Sequence, residues 1–479
     1  MPRHRVTTLQ LAALALCWTV APLAAQTLPA EVDAALLRAK VPREALAMLV
    51  VDAEGKSAAR LSHRASTPMN PASVMKLVTT YAALDLLGPA FAWVTPVYVE
   101  GAVRDGTLYG NLAIRGTGDP KLVMERLWLL LRRVQGLGVK TIAGDIVLDH
   151  SAFAGIDLDP GQFDGEPLRP YNVSPDALLL NYKSVVMTFV PDRTANSAQV
   201  QFDPPLAGVA VQTAVPLSAG DCGDYRATLR ADFSDPNRIR FGGSYPASCL
   251  EKVWPVAYAD PRSYATRAIE GMWLEMGGKL GGTVRDGKLP VVIGAGPQPA
   301  FEVVSPALAE VVRDINKYSN NVMAQQLFLT LGLQARNSPG AGSLEAAREV
   351  IRRWWQERLA GTEGPTMDNG SGLSRNERIS AQSLARMLQS AYLSPQMPEL
   401  LASLPVAGID GTMRRSRSRA VGSAHLKTGS LRDVAAVAGY VHAASGKRYI
   451  LIAIINHTNA GAARPVFDAL LDWTMKDGS

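Results

Sequence analysis

Cysteine is scarce in this 479-residue chain, with three in all, and histidine is hardly commoner at six. The metal-ligating pattern His-Glu-x-x-His is absent, and His63, His150, His425, His442 and His457 show no ligand spacing. No Gly-x-Ser-x-Gly elbow occurs, which argues against a Ser-His-Asp hydrolase. There is no internal repeat or low-complexity segment, and no stretch after the amino terminus is long enough to span a membrane. The formal charge of +6 is mild and spread along the chain, so it argues neither for nor against a nucleic-acid partner. One run, Arg414, Arg415, Arg417 and Arg419, is denser; it reads as a solvated loop, with an anionic wall polymer or lipid surface as the alternative.

What is present is length and apolar content. At 479 residues and 47% hydrophobic composition, the chain exceeds one core and can build two or three. Residues 1–25 read as a cleaved secretory signal: Arg3 and Arg5 open it, Leu11 to Leu23 is mostly apolar, and Ala24-Ala25 precede Gln26. A membrane anchor is disfavoured because the run is short and carries Thr19 and Pro22. Lipid attachment at Cys17 is disfavoured by bulky Leu16. Cleavage leaves Cys222 and Cys249, which an oxidising compartment joins as one disulfide, two separate thiols being the alternative.

Ala45 to Ala53 is a β-rich run, Glu54-Gly55-Lys56 a turn, and Ala58 to Ala65 a returning strand. Asn70-Pro71-Ala72 opens a helix with the stripe Leu77, Tyr81, Leu84 and Leu87, stopped by Gly88-Pro89. Far along the chain, Ala424 to Thr428, Val434 to Ala443 and Arg448 to His457 read as an antiparallel meander, followed by a helix from Pro465 to Met475. Between them, residues 96–300 change texture to short strands punctuated by Gly, Pro, Asp and Asn, with one helical stretch, Met124 to Leu137. This block separates two halves that are each incomplete as sheets. The expectation is therefore an α/β catalytic domain from 26–95 plus 301–479, with a β-rich insertion holding two nested subdomains. Helices return from Pro306 to Ser390, including Ala307 to Gln326 and Ser343 to Leu359.

Three short patterns carry chemistry. Ser73-Val74-Met75-Lys76 sets a hydroxyl and an amine three apart on one helix face, where a lysine of lowered pKa can take the serine proton. Lys427-Thr428-Gly429 lies on a strand whose edge can hold an extended peptide; the lysine offers a cation to a terminal carboxylate, and the glycine permits close approach. Ser319-Asn320-Asn321 follows the helical run Ala307 to Lys317. Taken alone it also reads as an ordinary polar junction between helices, and Ser374-Arg375-Asn376 has the same pattern.

In this order the three patterns resemble the signature of penicillin-binding proteins and serine β-lactamases. More narrowly, the chain resembles the class C low-molecular-mass penicillin-binding proteins, the D-alanyl-D-alanine carboxypeptidase/endopeptidase family. The likeness rests on the 246 positions from Ser73 to Ser319, on Gly116-Thr117-Gly118-Asp119-Pro120, on Gly144-Asp145-Ile146-Val147-Leu148-Asp149, and on Asp368-Asn369-Gly370-Ser371-Gly372-Leu373-Ser374-Arg375. It implies a transpeptidase-like fold and a serine D,D-peptidase that attacks D-Ala-D-Ala ends of peptidoglycan, and cross-links as a further substrate. β-Lactams would be covalent inhibitors. In that likeness Ser73 is the nucleophile, Lys76 its base, Ser319 a proton relay and Asn321 a holder of the substrate amide. Lys427 and Thr428 meet the carboxylate, the N–H groups of Ser73 and Ser430 form the oxyanion hole, and Arg375 edges the site. Arg432 departs from the glutamine of a well-studied relative.

The resemblance also implies an acidic and an aromatic residue in the insertion that read the diamino-acid side chain. Asp164 with Tyr171 is the favoured assignment, Glu166 the alternative acid, and an exposed acidic turn around Gly165 and Pro167 the competing structural reading. No cofactor or metal is required. A periplasmic setting follows from the leader together with the resemblance, with peripheral membrane association left open. The competing functions are a β-lactamase, for which no deacylating glutamate is evident, and a wall-binding protein without turnover.

Overall fold

The computed structural model describes residues 27–154, 156, 159–289, 298–334 and 340–477. The leader expected over residues 1–25 lies outside the described residues. Among those described, no helix is long and apolar enough to cross a membrane.

Both ends of the chain build one sheet. Strands Leu46–Asp52 and Leu61–His63 form the expected hairpin, the returning strand being shorter than the Ala58 to Ala65 run. Ala424–Leu431, Val434–His442 and Arg448–Asn456 form the meander, and Arg448–Asn456 pairs antiparallel with Leu46–Asp52. The order across the five strands is 424–431, 434–442, 448–456, 46–52 and 61–63. Because side chains alternate along a strand, an apolar strand feeds two cores. Ala47, Leu49, Ala438, Ile450, Ile452 and Ile454 face helices Lys76–Leu87, Leu308–Tyr318, Asn321–Leu333, Leu344–Arg358 and Ala381–Tyr392. Leu46, Met48, Val50, Val437, Leu451 and Ile455 face helices Ala30–Ala39 and Arg464–Met475.

The intervening chain leaves and returns at one place. Strand Val94–Arg104 pairs with Phe301–Val304, Val94 opposite Val304. Just outside this pair, Trp93 N–H donates to Ser305 Oγ and Ser305 N–H donates to Trp93 O, each at 2.9 Å. This pair belongs to a seven-stranded sheet, and beyond it, over residues 184–257, lie a five-stranded and a three-stranded sheet. The Cys222–Cys249 bridge lies in this second region, as expected. The expectation of one helical stretch is corrected: besides Met124–Gly136 there is Tyr264–Glu275, with a shorter turn at Tyr225–Leu229. The longer missed helix buries Tyr264, Ala268, Ile269, Met272 and Trp273 along one face, and Gly271 within it obscured that stripe.

A second correction concerns Ala307 to Gln326. This run is two helices, Leu308–Tyr318 and Asn321–Leu333, broken at Ser319, whose φ of 57° is left-handed. Asn320 makes the break stable by accepting from Met323 N–H at 3.0 Å through its side chain.

Candidate active site

The nucleophile candidate sits on a constrained turn. Ser73 lies in a 3-10 turn, Ala72–Met75, and the α-helix begins only at Lys76, so the expected position in the first turn of an α-helix is corrected. Ala72 is fully buried with φ of 47°, a conformation costly for a residue with a Cβ. Four hydrogen bonds made by two asparagines hold it there. Asn70 Oδ1 accepts from Ala72 N–H at 2.9 Å, Asn70 Nδ2 donates to Ser374 O at 2.9 Å, and Asn456 exchanges two 2.9 Å bonds with the Asn70 backbone.

Lys76 is fully buried and donates to Ser73 Oγ at 2.9 Å, Asn321 Oδ1 at 2.6 Å and Ser371 O at 2.5 Å. Burial, then the charge of Lys427, hold its amine well below the usual lysine range, against the opposing pull of Glu377. An amine so depressed and in contact with a hydroxyl is a competent general base.

The facing wall is the edge strand Ala424–Leu431. Lys427, also fully buried, donates to Ser319 Oγ at 2.9 Å and to Thr428 O at 2.8 Å, and burial pushes its amine down to about 7. Thr428 Oγ1 donates to Thr412 Oγ1 at 2.7 Å. The strand approaches the serine turn so closely that a Cβ on Gly429 would stand 2.4 Å from Pro71 O. Only glycine fits there. The left-handed break at Ser319 turns its hydroxyl toward Lys427, while Asn321, at the start of the next helix, reaches Lys76.

Ser73, Ser319, Asn321, Ser430, Arg375, Asp164 and Tyr171 all line one cleft of about 690 Å³, with Phe163, Tyr318, Leu373 and Arg432. Arg375 Nη1 donates to Asp433 Oδ1 at 2.8 Å and its guanidinium lies 5.0 Å from the Phe163 ring centroid. Of the two acidic candidates in the insertion, Asp164 faces the cleft, and Glu166 pairs with Arg169. Asp164 accepts from Tyr171 OH at 2.9 Å and from Asn172 Nδ2 at 2.7 Å. Partial burial raises its carboxyl, but those two bonds, the Glu166 amide and the Arg169 charge together hold the group below its ordinary value.

Several residues in contact with this machinery were missed by the sequence reading: Asn70, Asn456, Thr412 and the fully buried Glu377. Asn70 was read only as a helix cap. Glu377 stands two residues beyond Arg375, and its one visible signal was closeness to the Asp368 to Arg375 stretch.

A helix-flanked antiparallel sheet, with a serine and two buried lysines meeting at its edge strand, defines a serine peptidase of the penicillin-binding type. The crystal structure of penicillin binding protein 4 from Haemophilus influenzae matches with a TM-score of 0.73 at 22% identity, covering 92% of this chain and 98% of that one. The chain belongs to the D-Ala-D-Ala carboxypeptidase 3 (S13) family, whose model matches residues 28–476. It is 25% identical over 404 residues to the D-alanyl-D-alanine carboxypeptidase DacB of Haemophilus influenzae, covering 83% of each chain. With a D-alanyl-D-alanine carboxypeptidase of Actinomadura sp. strain R39 it shares 28% identity over 418 residues, 82% of this chain and 74% of the relative. A predatory endopeptidase of Bdellovibrio bacteriovorus, solved with an immunity protein, shares the fold at a TM-score of 0.53 and 16% identity, covering 90% of this chain and 93% of that one.

Proposed function

We propose that this peptidase works through an acyl-enzyme on Ser73, cleaving D-Ala-D-Ala ends of peptidoglycan peptides and, as a second substrate class, their cross-links. Ser73 Oγ attacks the carbonyl carbon of the scissile amide while its proton passes to Lys76. The oxyanion is held by the Ser73 and Ser430 N–H groups. Collapse expels the terminal amine, protonated through Ser319, and leaves an ester on Ser73 that water hydrolyses. Lys427 and Thr428 receive the substrate carboxylate, and Asn321 orients the substrate amide. The observation that carries this reading is the 2.9 Å contact between the buried Lys76 amine and Ser73 Oγ.

Export to the periplasm and contact with the membrane surface belong to the same reading. Support for the latter comes from Arg414, Arg415, Arg417 and Arg419, all exposed, on a loop tethered by Ser416 to Asp468 and by Ser418 to Asp472. Co-sedimentation with anionic vesicles tests it.

Incubation of the purified protein with a labelled penicillin tests the chemistry. A stable covalent label on Ser73 is expected. Rapid release of ring-opened drug would instead make the protein a β-lactamase, and absence of label would favour a wall-binding protein.

A further inference from the structure

Against the loop that bonds the Lys76 amine lies a carboxyl that the acylation chemistry does not use. Glu377 has no solvent exposure. Its Oε1 accepts from three successive backbone amides, Asp368 at 3.1 Å, Asn369 at 3.2 Å and Gly370 at 3.3 Å, while Oε2 is buried without a hydrogen-bond partner. A buried oxygen left without a partner is costly. The next residue in that loop, Ser371, supplies the carbonyl that receives the Lys76 amine at 2.5 Å. Thr79, one turn along the helix from Lys76, ties the same loop down by donating to Gly370 O at 2.6 Å. The loop also lies directly on the nucleophile turn, since a Cβ on Gly372 would stand 2.1 Å from Ala72 O.

We propose that Glu377 is a positioning residue for acylation: it gathers the 368–371 loop on three amides so that the Ser371 carbonyl fixes the Lys76 amine beside Ser73, and its negative charge tunes how readily that amine gives up its proton. The inference rests on Ser73 as nucleophile and Lys76 as base.

The charged groups facing the pair are few. Glu377 feels Asp368 and Lys76, and Asp368 is itself paired with Arg348 Nη2 at 3.1 Å; Lys76 feels Lys427 and Glu377. Burial pushes the Glu377 carboxyl up to about 7, so it titrates in the range where the enzyme would work. An anionic Glu377 favours the ammonium form of Lys76. Removing the charge therefore makes Lys76 a free base at lower pH wherever the wild-type Glu377 is ionised, that is, above about pH 7.

The test is the pH dependence of penicillin acylation rate in the wild type, Glu377→Gln and Thr79→Val, with Ser73→Ala as control. Gln keeps an acceptor for the three amides but carries no charge, so the acid limb should move down by about one pH unit with the plateau rate largely kept. Val at 79 loosens the same loop without touching charge, so acylation should slow about fivefold at every pH with no shift of the limb. An unshifted limb in Glu377→Gln, in a variant that unfolds at the wild-type temperature, overturns the tuning role. If Glu377→Gln does not fold, Thr79→Val still decides the loop's part: an unchanged rate overturns it. A wild type that carries no label on Ser73 would overturn the proposed chemistry itself, an outcome separate from either of these.

Discussion

Asn321 joins the two parts of the molecule at the cleft: its Oδ1 accepts from Lys76, and its Nδ2 donates to the backbone carbonyl of Tyr171 at 3.3 Å. The Lys76 amine and the insertion are thus two bonds apart. Tyr171 in turn donates its hydroxyl to Asp164, so the acidic wall of the cleft is registered against the serine rather than hanging from a separate lobe.

That registration gives a substrate prediction. Replacing Asp164 and Glu166 together by Asn and Gln should weaken hydrolysis of peptides bearing a free side-chain amine by roughly 1 to 3 kcal/mol in kcat/KM, the worth of a hydrogen bond to a charged group. Acylation by simple penicillins, which lack that amine, should hardly change. Equal losses for both would show that Asp164 supports the Tyr171 and Asn172 contacts instead of reading substrate.

Ser73→Ala should abolish penicillin labelling and peptide hydrolysis with the unfolding temperature preserved, because it deletes only the hydroxyl that is acylated. Lys76→Ala should slow acylation by about 10² to 10⁴, the usual range for a lost general base. Labelling of the Ser73 variant at the wild-type rate would put the nucleophile elsewhere.

Lys427 sets an alkaline limit. Its amine is pushed down to about 7 by burial, and a lysine is charged below its pKa and neutral above it, so the cation proposed to meet a terminal carboxylate is lost as pH rises through that value. Since kcat/KM reports the free enzyme, it should fall above about pH 7 for peptides ending in a carboxylate. Peptides amidated at that end should lack this limb. A flat profile for both would mean that Lys427 stays charged or does not meet the carboxylate.

Much of this was legible in the sequence because local patterns coincide with the chemistry. The Ser73, Ser319 and Lys427 patterns lie at three distant points of the chain and are each weak alone, but their order together marked the site, and the apolar runs of 434–456 broken by a short turn marked the sheet. What was hidden depends on tertiary packing. Nothing local marks Ala72 for a positive φ, which Asn70 and Asn456 enforce from positions 386 apart in sequence. The break at Ser319 was visible as a polar junction, but not the left-handed turn that aims its hydroxyl at Lys427. Glu377 looked like any surface acid before an arginine, and only its burial against the loop over Lys76 gives it meaning.

Reduction offers a separate test of the insertion. The Cys222–Cys249 bridge spans 27 positions, which the chain-entropy account values at about 3 kcal/mol for the region it closes. Thiol counting on the unfolded, unreduced mature protein, which lacks Cys17, should find none free. Reduction should lower the unfolding midpoint of the insertion while penicillin labelling in native buffer persists, since the bridge lies outside the cleft. Two free thiols before reduction would rule the bridge out.

The insertion is fastened to helix Asn321–Leu333 through Asp176. Asp176 accepts from His150 Nδ1 at 2.5 Å and pairs with Lys183 Nζ at 2.7 Å, while its backbone N–H and C=O are both bonded by the Gln326 side chain of helix Asn321–Leu333. Burial raises the Asp176 carboxyl, but the His150 bond and the Lys183 charge outweigh it and hold the group far below the carboxylate range. A depressed acid stabilises the fold above its unfolded pKa of about 3.9 and loses that contribution as pH falls through the folded value. His150 moves the other way: burial and the Lys183 charge lower it, but the Asp176 bond and charge, with the charge of Asp286, win and raise it. A raised histidine contributes fully below its unfolded pKa of about 6.5 and loses that contribution as pH rises through the folded value. The pair is therefore strongest between about pH 4 and 6.5. Asp176→Asn should lower the unfolding temperature most in that window, and the gap from the wild type should narrow as pH falls below about 4. Thermal unfolding of both proteins across pH 2 to 9 measures it, and a gap that is constant over the whole range would show that the carboxylate charge plays no part in the fastening.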